Sequence, residues 1–77
     1  MKIEQLFEVE SECNRLLLRI EEYTTARAQH EQEKAEYAEK HPGAYFYGRD
    51  FPAHTAAIRR ASMDLTRALA KLRKPNA

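Results

Sequence analysis

Apolar side chains recur early in the chain at Leu6, Val9, Cys13, Leu16/Leu17, Ile20 and Tyr23. These steps of three and four residues mark one face of an α-helix. Farther on, the same face carries Arg27, His30 and Lys34, supported only by Ala26, Ala28, Ala35, Tyr37 and Ala38. Residues 3–40 contain no Gly or Pro and are rich in Glu, Ala, Leu, Arg, Lys and Gln, all strong helix formers. The pattern predicts one long helix over about 3–40, strongly amphipathic at first and weakly so later. Two β-branched residues, Thr24 and Thr25, stand where it weakens, and a bend there is the alternative.

Pro42 disfavours helical geometry at His41, and Gly43 can adopt the left-handed conformation that closes a helix. A loop over 41–50 follows, with Tyr45, Phe46 and Tyr47 in succession and Phe51 just beyond. Phe46 and Phe51 are expected inward, plugging the open end of the bundle, and Tyr45 and Tyr47 partly exposed. A second helix is expected over about 51–73, with Asp50 as N-cap and Pro52 in the first turn. Its stripe is His54, Ile58, Ala61/Ser62, Leu65, Ala68/Leu69 and Leu72. Lys71, Arg73 and Lys74 suit the negative end of the helix dipole. Pro75 ends the helix, and 74–77 reads as a frayed tail.

The fold class is therefore all-α: an antiparallel helical hairpin within one domain, 1–77. The helices differ in length, roughly 57 Å against 33 Å at 1.5 Å per residue. With a short connection, helix 2 is expected to cover helix 1 from residue 40 back to about residue 19. Residues 3–18, the most apolar stretch, then overhang. Leaving that set in water would forfeit on the order of 10 kcal/mol. A second copy is the simplest cover, giving a four-helix homodimer with Ile3, Leu6, Val9, Cys13, Leu16, Leu17 and Ile20 at the interface. The rivals are a three-helix monomer bent at Thr24-Thr25 and a different protein that takes the overhang.

Composition narrows the class further. Cys13 is the only cysteine, so no intrachain disulfide can form. The longest aliphatic run is Leu16-Leu17-Leu18, whereas a membrane span needs about 20 apolar residues. The N-terminus lacks the apolar core of a secretory signal, and a cytoplasmic location is the expectation. The near-neutral total hides a division. Residues 1–48 hold six basic and ten acidic side chains, net −4, and residues 49–77 hold seven and two, net +5.

Candidate chemistry is sparse. Arg60, Arg67, Lys71 and Lys74 share one side of helix 2, with Asp64 between them and Arg59 and Arg73 flanking. That face could follow a phosphate backbone. Its plainer role is to pair with Glu21, Glu22, Glu31, Glu33, Glu36 and Glu39 of helix 1. Tyr45 and Tyr47, with Arg49, could form an aromatic hot spot for a protein partner. His30, His41 and His54 lack the three- or four-residue spacing of metal ligands on a helix, although His30 and His54 could meet across the hairpin. Cys13 has no histidine near it in sequence, so a small core or interface residue is expected there rather than an activated thiol. Ser11 and Ser62 lie inside helices, and no phosphate-cradling glycine loop is present. No enzyme activity, cofactor, metal or small-molecule substrate is expected.

In size and make-up the chain is like many small accessory and inhibitor proteins carried by phages and mobile elements, a likeness of size class that no motif carries. The functional expectation is a non-enzymatic protein–protein interaction module, an adaptor or inhibitor, that presents Tyr45, Tyr47 and Arg49 at each far end of a rigid homodimer. The alternatives are nucleic-acid binding through Arg59, Arg60, Arg67, Lys71 and Lys74, and a structural subunit of a larger helical assembly.

Overall fold

The computed structural model describes residues 2–44 and 50–74. They form two helices, α1 (Ile3–Lys40) and α2 (Pro52–Arg73), packed side by side as an antiparallel hairpin. No strand occurs among the described residues.

α1 runs unbroken through Thr24-Thr25. The Thr24 hydroxyl donates to the Glu21 carbonyl at 3.1 Å, so the β-branched pair is absorbed within the helix and no bend folds the first 23 residues back. The three-helix monomer is thereby ruled out. At the far end His41 N–H still bonds the Tyr37 carbonyl at 2.8 Å. Gly43 then turns the chain with φ +83°, a conformation that only glycine adopts without strain.

α2 begins one residue later than its acid suggested. Asp50 is not the N-cap: Phe51 holds that position, with Pro52 as the first helical residue. Proline favours the first helical position because its fixed φ suits the helix and its missing N–H is not needed there. The Thr55 hydroxyl lies 3.2 Å from the carbonyl oxygens of both Phe51 and Pro52. The Phe51 ring packs edge-on against Tyr23 at 6.0 Å and His30 at 5.9 Å. Burying part of that ring outweighs an acidic cap, which is typically worth about 1 kcal/mol.

The register between the helices differs from the one expected. Lys71 reaches Glu8 at 3.4 Å, Arg15 reaches Asp64 at 3.1 Å, and Phe51 lies beside Tyr23 and His30. α2 thus covers the apolar N-terminal part of α1, and residues 31–40 project instead of 3–18. Two facts account for this. The large side chains of α1 are concentrated before residue 24, so α2 gains most by lying there. The eleven residues 41–51 can span up to about 36 Å, ample for a start set back roughly 15 Å from Lys40.

The seam is narrow. Among the described residues only Ala61 and Ala68, at 1% and 3% exposure, are fully buried, and α1 buries no residue completely. The two alanines lie seven apart on α2. With no bulk beyond Cβ they allow the helix backbones to approach closely, while Val9, Leu16 and Tyr23 are half-buried against α2. Ala61→Leu should therefore force the helices apart and cost about 1–3 kcal/mol in denaturant unfolding. Ala70→Leu, on the exposed side, should change stability by less than about 0.5 kcal/mol.

Candidate functional site

The hairpin is a single layer with two unlike faces. The seam residues Val9, Leu16 and Tyr23 separate them on α1. One step before each of the first two stand Glu8 and Arg15, which bind Lys71 and Asp64 across the seam. Around this crossing, Glu12 lies 3.6 Å from Arg15, Arg19 is 3.0 Å from Glu22, and Arg67 is 3.9 Å from Asp64. Glu12 Oε2 is buried without a hydrogen bond; the 3.6 Å contact with Arg15 is ionic only. This face is polar and nearly balanced in charge. Ion pairs as exposed as these contribute little each, about 0–1 kcal/mol, but they select register and direction.

The other face is apolar. On α1 it carries Leu6, Cys13, Leu17 and Ile20, related by steps of three, four and seven, with Ile3 at its edge. Leu6 is 40% exposed, Leu17 58% and Ile3 56%, and Cys13 is half-buried. On α2 the corresponding residues are Ile58, Leu65 and Leu69, all half-buried. Phe7 and Leu18 extend exposed apolar surface around the outside of α1. Sequence periodicity alone identified the α1 residues of this set. What it missed was their division: Val9 and Leu16 are half-buried at the seam, while Leu6, Leu17 and Ile20 remain 40%, 58% and 39% exposed on the open face. The contribution of Ile58, Leu65 and Leu69 to the same open face was missed with it.

The remaining candidates fall in different places. Tyr45, Tyr47 and Arg49 lie outside the described residues, as does Phe46. Arg59, Arg60 and Lys74 are exposed, whereas Arg67 and Lys71 make the ion pairs above. The acids expected opposite the basic side of α2 are not its partners. Glu31, Glu33, Glu36 and Glu39 lie on the projecting part of α1, and Glu22 pairs with Arg19. Glu8 takes the role because α2 has slid toward the start of α1. Arg60 instead borders a shallow hollow floored by Ala56 and Ala57 and flanked by Arg15 and Arg19.

His30 and His54 do approach across the hairpin, but the Phe51 ring lies against both, at 5.9 and 6.0 Å. They form an aromatic cluster with Tyr23, which stacks obliquely on His54 at 6.3 Å. Beside it is an open hollow of about 580 Å³, bordered by Arg27, His30, Lys34 and Asp50. Cations and acids alternate around it, and no nucleophile is paired with a base. Among the described residues no cluster of three or more His, Cys, Asp or Glu side chains could hold a metal, and no helix is long and apolar enough to cross a membrane.

The chain matches no known family model, and neither a curated protein nor a solved structure shows significant similarity to it.

Proposed function

We propose that the protein is a small non-enzymatic interaction module, an adaptor or inhibitor, that works as a homodimer of four helices in the cytoplasm. The observation that carries the reading is the open apolar face. A compact monomer of 9.0 kDa exposes about 4,900 Å², whereas this chain exposes 6437 Å². That excess of roughly 1,500 Å² is shared between the polar projecting segment, residues 31–40, and the apolar face, where Leu6 is 40%, Leu17 58% and Leu18 49% exposed. The radius of gyration, 19.1 Å, compares with about 11–12 Å for a compact domain of this length. A hairpin with two buried alanines has half a core, and an identical half completes it without any further component. Tyr45 and Tyr47, with Arg49, are the candidate contacts for the protein partner, because three successive aromatics exceed what joining two helices requires.

The mass in solution should be that of a dimer. Leu6→Glu combined with Leu17→Glu should weaken association by at least about a hundredfold, as read by sedimentation equilibrium. Both side chains are exposed in the single hairpin, so helicity should persist. A cooperatively folded wild-type monomer at all concentrations would defeat the reading, and a molten or aggregating monomer would favour a missing partner of another kind.

Tyr45→Ala combined with Tyr47→Ala should leave the thermal midpoint within a few degrees of wild type and abolish partner capture. Loss of folding would place these rings in the core instead. Duplex DNA binding at low salt that falls steeply as salt rises would shift the function to Arg59, Arg60, Arg67, Lys71 and Lys74.

A further inference from the structure

The open face also carries information about how two copies meet, and this inference rests on the homodimer reading above. Along the outer rim of that face α1 places two acids, Glu10 and Glu21, and α2 places two bases, Arg59 and Arg73. All four are exposed. Seven residues separate Glu8 from Arg15 and seven separate Asp64 from Lys71, so the two bridges hold one constant register along the hairpin. In that register Glu21 is level with Ile58, next to Arg59, and Leu17 is level with Ser62.

Two hairpins can stack their apolar faces about a twofold axis in either of two ways. With the axis across the helices, α1 lies on the partner's α1. Four glutamates then crowd one rim and four arginines the other. With the axis along the helices, each α1 lies on the partner's α2, and each acidic rim meets a basic one. The apolar contacts are of similar kind in both, so charge decides. It is the same division that makes residues 1–48 net −4 and residues 49–77 net +5.

We infer that the second copy seats with its α2 on α1, so that Glu21 faces Arg59 of the other copy and Glu10 lies within one helical turn of Arg73, and the two α1 helices run parallel on a diagonal of the bundle. Both projecting segments, residues 31–40, then leave from the same end of the dimer. The expectation from sequence, one binding site at each far end, belongs to the other arrangement.

Cross-linking distinguishes them. One Cys13→Ser chain carries Leu17→Cys and another carries Ser62→Cys; both positions are exposed in the hairpin. Mixed and mildly oxidised, they should give a covalent heterodimer, while each chain alone and wild-type Cys13 should give little covalent product. Glu21→Arg should weaken association about three- to tenfold at low salt, and adding Arg59→Glu should restore it. A wild-type dimer that cross-links readily through Cys13 while the mixed chains do not would overturn the arrangement. So would a dimer that cross-links through neither, or one that is indifferent to both charge reversals. A wild-type protein that sediments as a monomer would overturn the homodimer itself, before any cross-link is read.

Discussion

Two helices laid side by side can hide one stripe each, and nothing more. Every other feature of this chain follows from that limit. The seam is filled by Ala61 and Ala68 on one side and shielded by Val9, Leu16 and Tyr23 on the other. The large side chains that would normally supply stability, Leu6, Leu17, Ile20 and Ile58 among them, stay at least partly in water. Small domains commonly meet this difficulty with disulfides, a metal or association. With a single cysteine, a disulfide within the chain is not among them, and the homodimer proposed above is an answer of the third kind.

The same limit explains the asymmetry of the helices. α2 lies where α1 is most apolar, and so the weakly amphipathic end of α1 extends beyond it. That end is rich in Glu, Lys and Gln, residues that sustain a helix by propensity and need little burial. Phe51 marks the boundary between the two regimes. Its ring, set against Tyr23, His30 and His54, fixes where α2 begins along α1, and the proline after it fixes the direction in which α2 sets out.

Helix content and helix ends were legible in the sequence because their causes are local: Pro42, Gly43, Pro52 and Pro75 punctuate the chain, and three-four spacing fills the intervals. The register was not legible, because it depends on how far the segment between the helices lets α2 return, and no residue of that segment encodes a distance. The error had consequences for the site. It assigned the wrong acids to Lys71 and described the uncovered apolar surface as an overhanging end, when it is one long face. The N-cap was missed for a related reason. Asp50 is the better cap by propensity, but a ring that can reach Tyr23 and His30 is worth more, and that contact is visible only once the helices are paired.

The order of charges across the seam has one more consequence. Reading along each helix, a negative residue precedes a positive one by two turns: Glu8 before Arg15, and Asp64 before Lys71. Because the helices run in opposite directions, each acid meets a base. A slip of one heptad either way would preserve the packing period of the alanines but bring Arg15 to Lys71, or Glu8 to Asp64. The electrostatic pattern thus works as a vernier. The alternation of sign reinforces the one alignment that the concentration of large side chains before residue 24 and the Phe51 contacts also favour.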